Sequence, residues 1–452
     1  MAGTWKTQNK RRPGAYINVK GNGNPLSPSP VGRLLMLSDL TLNWGKTGVV
    51  ELSATSDFRA ELGTKLDDPQ LLPLKQALKG AETVLFLNLN NGEKATGTAE
   101  TSPLKFKAKY AGTKGNNIKV VIEPEAVESG QTPKKATVST IFDAVIVDQQ
   151  TITIDALDEY LENDYVVPEI NSAVTSLPTS PVTINLTGGT TKADDLTEVF
   201  NTALDSESYN VVTTAGMSVD SNMHGLLVEA LKRLRENEGV KVRGIIPAND
   251  NTPVYNYEGV SMVANGFVEG DGTMVDTTNA AAYFAGVSAS ATASEALTYH
   301  NVSDAVEAWP KLNNEETIDA LNAGKIVFTT RAGQRVVVEQ DINSLIKFTA
   351  ERTRDFSKNR IIRTLDEICT NTQETFENSY LGRVPNNENG RALFKANRIS
   401  YLTTLQAQNI IQNWDNGDIT VNAGNDKDAI VVDVAVTPVD AMEKLYMTLI
   451  VN

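Results

Sequence analysis

A strand-only stretch interrupts a helix and strand alternation in the middle of this chain, and that interruption constrains the fold more than any other feature. Up to about residue 94, helical and strand periods alternate: short helices at 57–62 and 69–78 precede an apolar strand at 83–89. From about 95 to 190 the helical period fades, and short alternating strands at 104–108, 118–122, 137–142, 144–147 and 181–186 follow one another across turn residues, with one short helix at 155–162. Alternation then resumes: helix 194–204, strand 209–213, helix 220–237 stopped by Gly239, strand 243–248, an alanine-rich helix at 279–293, helix 315–322, and strands 326–329 and 335–339. Strands joined by helical crossovers build a largely parallel sheet covered on both faces, whereas hairpin-connected strands build their own sheets. The expectation is an α/β domain split into residues 31–94 and 191–354, with a β-sandwich-type domain inserted at 95–190. Within helix 220–237, Met223, Leu226, Leu227, Ala230, Leu231 and Leu234 are expected to share one buried face.

Residues 355–452 read as a C-terminal α+β domain, with amphipathic helices at 359–380 and 396–414, a turn at Gly424, a strand at 429–436 and a terminal strand at 445–451. The chain's two ends are strand-like and unpartnered: Ala15, Tyr16, Ile17, Asn18 and Val19 near one end, and Leu445, Tyr446, Met447, Thr448, Leu449 and Ile450 near the other. Proteins normally blunt such edges, so two open ones point to pairing with other chains. Residues 1–30 form an arm whose Gly- and Pro-rich stretch 21–30 is a linker.

With 40% hydrophobic and 21% charged residues over 452 positions, the chain can bury a sizeable core. The polar, basic start lacks the apolar core of a secretory signal, and no apolar run reaches the ~20 residues of a spanning helix, so production in the cytoplasm without membrane insertion is expected. A single cysteine, Cys369, excludes an intrachain disulfide and reads as a small apolar residue in a helix core. The formal charge is -15, yet residues 1–38 hold six bases, Lys10, Arg11 and Arg12 among them, and no acid, while residues 400–452 carry seven acids against two lysines. The arm of one copy is thus expected to be drawn to the C-terminal part of another. An acidic body argues against nucleic acid as a direct partner.

The residues offer little for catalysis. His224 and His300 lack the flanking motifs of a serine-hydrolase triad, and Ser261-Met262 lacks a nucleophile turn. One cysteine and two distant histidines give no zinc spacing, the acidic loops 271–272 and 425–428 lack the calcium-loop pattern, and Gly112-Thr113-Lys114-Gly115 is not a P-loop, so no catalytic residue, metal or other cofactor is expected.

Four segments resemble contractile tail sheath proteins of phages and phage-tail-like bacteriocins. They are Arg12-Pro13-Gly14-Ala15-Tyr16-Ile17-Asn18-Val19, the stretch 106–118 with Tyr110, Gly112, Gly115 and Asn116, the stretch 333–345 ending Asp341-Ile342-Asn343-Ser344-Leu345, and the closing Pro438 to Thr448. The resemblance implies a subtilisin-like α/β domain and a non-enzymatic subunit polymerised as stacked hexameric rings in a helical tube around a tail tube protein. It implies baseplate and tail-terminator partners, a place in a virion tail or tail-like particle assembled in the bacterial cytoplasm, and contraction without nucleotide. It also implies exchange of the terminal strands onto neighbours' C-terminal sheets, with Ile430, Val431, Val432, Val434 and Val436 receiving them. The rivals are a soluble α/β hydrolase with an inserted domain and a shell or surface-layer protein.

Overall fold

The computed structural model describes residues 31–128, 131–333 and 335–451. The expected N-terminal strand, its basic residues Lys10, Arg11 and Arg12, and the linker 21–30 lie outside the described residues. Seven strands make the central sheet: β1 (Arg33–Met36), β2 (Gly48–Leu52), β3 (Thr83–Asn88), β4 (Val211–Thr213), β5 (Arg243–Pro247), β6 (Val260–Val263) and β7 (Lys325–Ile326), in spatial order β7-β6-β5-β4-β1-β3-β2. All pairs are parallel except β2 with β3. Because side chains alternate along a strand, Leu34 and Met36 enter the core on one face and Leu35 and Leu37 the core on the other.

Helices α1 (Leu72–Leu78) and α3 (Thr277–Ser290) cover the first face, and α2 (Met223–Lys232) covers the second. α3 is buried from Ala280 to Ala289, and a Cβ on its Gly286 would fall 2.1 Å from the Ala77 carbonyl, so α1 and α3 meet backbone to backbone. α2 runs into a wider turn at Arg233–Asn237. Leu226, expected on the buried face, is exposed. Met223, Leu227, Leu231 and Leu234 define the buried line, and Leu226 sits one position, about 100°, to its side. β6 and the short strands Gly266–Glu269 and Ala305–Trp309 have no counterpart in the sequence reading, because segments of four or five residues are too short to establish a period.

The strand-only stretch forms two antiparallel sheets. One joins Val182–Asn185, Lys119–Pro124, Lys135–Phe142 and Val145–Thr153, and the other joins Thr96–Gly97, Leu104–Ala108 and Val166–Ile170. They enclose a core of their own containing Phe106, Ile122, Val138 and Phe142. Trp44, from the α/β side, enters this core, with its ring 5.3 Å from Phe142 and 5.5 Å from Tyr110, and its indole N–H donates to the Ala60 carbonyl at 2.8 Å. The Gly-rich motif here is a tight turn at Thr113–Asn117, where Gly112 has φ 129° and a Cβ would fall 2.0 Å from the Asn43 carbonyl. Residues 155–162 give a short 3-10 segment, Ile154–Glu159, rather than a regular helix, because Ala156 leaves helical geometry.

The C-terminal part holds α4 (Asn359–Ser379), α5 (Glu388–Ala407) and a hairpin of β8 (Ile419–Ala423) and β9 (Ile430–Val434), paired antiparallel over five residues. α5 begins eight residues before the expected start, capped by the Asn387 side chain on the Gly390 N–H, and ends early where Asn409 takes φ 56°. The expected strand at 445–451 is absent from the described chain, where residues 439–451 hold no regular element. A strand without a ladder partner in its own subunit has nothing to define it.

Candidate assembly interface

α4 divides its labour along its length. Its first turns face the central domain through polar side chains, and its later turns present Leu365, Ile368, Thr372 and Phe376 to the hairpin. Between them and Ile430, Val432, Val434 and Val436 lies an apolar groove of about 720 Å³. Since the hairpin has two strands, each keeps one edge without a partner among the described residues. An open ladder edge above an apolar groove is the geometry that strand addition uses. The structure thus gathers four of the five expected receiving residues at the groove, while Val431 points outward and is exposed.

The chain's last segment leaves the body nearby. The Val439 N–H donates to the Ile410 carbonyl at 2.9 Å, and Glu443 is the last residue held by the subunit. Its carboxylate accepts from Gln340 Nε2 at 2.7 Å, from Thr298 Oγ1 at 2.8 Å and from Lys358 Nζ. Burial works against the charge, but those three hydrogen bonds hold the Glu443 pKa below its ordinary value. Beyond it, Leu445, Tyr446, Met447, Leu449, Ile450 and Val451 are 77–88% exposed.

At the junction below, the Arg363 guanidinium donates to Asp341 Oδ2 at 2.6 Å, and Asn359 Nδ2 donates to Asp341 Oδ1 at 2.9 Å and to Ser261 Oγ at 3.0 Å. Arg235 forks onto both oxygens of Asp366 at 2.8 and 2.9 Å. Burial would raise the Asp341 carboxyl, yet Arg363 with the Leu297 and Asn359 donors keeps it below the usual range. The sequence shows the Asp341 to Leu345 motif but not these partners, which lie far along the chain; the lone signal is the placement of Asp and Arg inside apolar helical runs.

The hydrolase reading finds no site among the described residues. His224 is buried, its Nδ1 2.6 Å from the Thr214 hydroxyl and its Nε2 2.8 Å from the Ser218 carbonyl, so both nitrogens are engaged by structural partners. Burial pushes its pKa down, which keeps the ring neutral. Ser261 Oγ bonds Asn359 and not a histidine. Cys369 is exposed rather than in the helix core, because the groove is open along its length; its thiol still lies against the groove wall, and that burial pushes its pKa up.

Comparison with known proteins decides the family. Residues 189–344 match the phage tail sheath protein central domain, residues 90–216 its β-sandwich domain and residues 351–452 the phage tail sheath C-terminal domain. The chain is 33% identical to the phage-like element PBSX protein XkdK of Bacillus subtilis over 100% of its own length and 99% of that protein's. The chain belongs to the phage tail sheath family. Among solved structures, the sheath tail protein of Desulfitobacterium hafniense is 34% identical, with a TM-score of 0.74 over 96% of this chain and 99% of that one. The sheath tail protein of Listeria innocua is 32% identical, with a TM-score of 0.78 over 92% and 94%. The contracted helical sheath of the anti-feeding prophage, 11% identical with a TM-score of 0.54 over 97% and 98%, shares the fold. This sheath protein is a structural component and not an enzyme, and among the described residues no helix is long and apolar enough to cross a membrane.

Proposed function

We propose that this sheath subunit polymerises as hexameric rings stacked in a helix around a tail tube, and that contraction drives the tube through a target cell envelope without nucleotide hydrolysis. The tail tube protein, baseplate and tail-terminator proteins are its partners, and the particle assembles in the bacterial cytoplasm. Neighbours are knitted by strand addition: Leu445, Tyr446, Met447, Thr448, Leu449 and Ile450, and on the other side Ala15, Tyr16, Ile17, Asn18 and Val19, extend the hairpin of an adjacent copy. Lys10, Arg11 and Arg12 speed that encounter, and residues 21–30 act as the hinge. The observation that carries this reading is the pairing of an exposed apolar tail with an open-edged apolar groove in one chain, since each is costly alone and each satisfies the other in a second copy. Exchanged strands let subunits slide and rotate while staying joined, and a metastable extended state supplies the work of contraction. Negative-stain microscopy of the purified chain tests it. Rods or contracted tubes are expected, and featureless monomers or flat arrays would refute it.

A further inference from the structure

A cleft of about 640 Å³ opens where the central sheet meets the sandwich, far in sequence from the C-terminal groove. Lys46, Lys94, Lys107 and Lys109 line it, with Glu93 the one acid among the lining residues. Lys109 pairs with Asp164 at 3.4 Å, while Lys46, Lys94 and Lys107 have no ion-pair partner among the described residues. Four lysines gathered in one concavity of a chain with net charge -15 are a local reversal of sign.

The opposite feature borders it. Residues 136–191 contain no lysine or arginine, and within them Asp155, Asp158, Glu159, Glu162 and Asp164 are all exposed. Leu161 stands 68% exposed among these acids. This run is held in place by its own domain, since Gln150 Nε2 donates to the Leu161 carbonyl at 3.0 Å and the Leu161 N–H donates to Gln150 Oε1 at 3.1 Å. It reaches the cleft of its own subunit through the Lys109–Asp164 pair at their border.

We propose that the lysine-lined cleft docks the acidic run 155–164 of a neighbouring copy of this chain. The inference rests on the polymerising reading above and names a contact between copies that strand addition does not supply. A copy displaced along the border sets its acidic run over this cleft and leaves its own cleft open for the next copy. That head-to-tail relation builds rings or helical filaments rather than closed pairs. A second copy is the occupant argued for because the chain itself carries the complementary surface, an exposed acidic run held in place by its own domain within a stretch that has no lysine or arginine.

Full-length chains carrying Lys46→Glu, Lys94→Glu and Lys107→Glu together, Asp155→Lys, Asp158→Lys and Glu159→Lys together, or all six, are compared with the unaltered chain by time-resolved light scattering. Each triple variant is expected to polymerise about tenfold more slowly at low salt, with the deficit shrinking as salt screens the charges. The sixfold variant, its charges exchanged, is expected to recover. Sedimentation at low salt reads the same pairwise association where no tube forms, so loss of this contact is separable from failure of the sheath reading. Unchanged rates in the lysine triple, or no recovery in the sixfold variant with its melting temperature intact, would overturn the proposal. Unchanged assembly with retention on heparin lost in the lysine triple would also overturn it, and would assign the cleft to a polyanion.

Discussion

Removing residues 445–452 separates the role of the tail in its own subunit from its role between subunits. With six of its side chains 77–88% exposed and no regular element beyond residue 438, the tail contributes almost nothing to its own fold, so truncation should change stability by less than about 0.5 kcal/mol. On a neighbour the arithmetic differs. A strand turns alternate residues to one face, placing Leu445, Met447, Leu449 and Val451 over the groove. Each fully buried apolar side chain is worth about 1.5–3 kcal/mol. Four to six ladder hydrogen bonds add roughly 1 kcal/mol each, against about 1–2 kcal/mol for each residue ordered. The surplus is a few kcal/mol at most, so one side chain decides it. Leu449→Asp should therefore abolish tubes almost as completely as truncation while leaving the free subunit's melting temperature unchanged. Calorimetry and light scattering on the same preparations check both halves. Long ordered tubes from either variant, or a melting temperature lowered by more than roughly 2 °C, would refute the reasoning.

Asp341→Ala leaves Arg363 buried without its carboxylate and should destabilise the subunit by about 3–5 kcal/mol in urea unfolding. Glu443→Ala should free residues 439–444, read as faster protease trimming with an unchanged core melting temperature. In the unaltered chain the Glu443 contacts are present above the ordinary glutamate range, and because the folded pKa is lowered they are lost only as pH falls through that lower value; protection that disappears by pH 6 would contradict this. His224 acts in the same direction at higher pH: its folded pKa is depressed, so below about pH 6.5 the unfolded chain takes the proton first and stability drops as pH falls, His300 adding to the effect. His224→Gln should flatten part of that slope between pH 7 and 5 and leave tube formation intact.

What could be read from residues alone followed the range of the interactions involved. α4 is expected from its apolar period within one residue at its C-terminal end, and β3, β4 and β5 emerge from runs of Leu, Val and Ile, because these elements are dictated by neighbours in sequence, whereas β1 and β2 have no strand counterpart in the sequence reading. β6, four residues buried on both faces, has no period to recognise, and α5 hid its start behind Asn387-Glu388-Asn389-Gly390, which looks like a turn until Asn387 is seen capping the helix. Of the groove, the valines on β9 read as a strand from the sequence, but its other wall on α4 reads as helix core, Cys369 included, whereas the structure leaves it open. The clasps on Asp341, Asp366 and Glu443 could not be found this way, since each pairs residues 22, 131 and 85 positions apart.

Those three clasps converge on one end of one helix. Lys358 occupies the N-cap position of α4, Asn359 begins it, and Arg363 and Asp366 follow within about two turns, so these ionic contacts cluster at the end of the helix where the groove, lined from Leu365 to Phe376, starts. Buried ion pairs add little net stability over well-packed apolar side chains, but they accept few geometries, and a bidentate Arg235–Asp366 pair fixes orientation as well as distance. The groove is therefore set at one angle to the central sheet, and Glu443, bound to Lys358 at the same corner, sets the point from which the tail departs. On the strand addition proposed above, a pull on the tail would be delivered to the corner that orients the groove, tying the movement of one subunit to the attitude of the groove it offers the next.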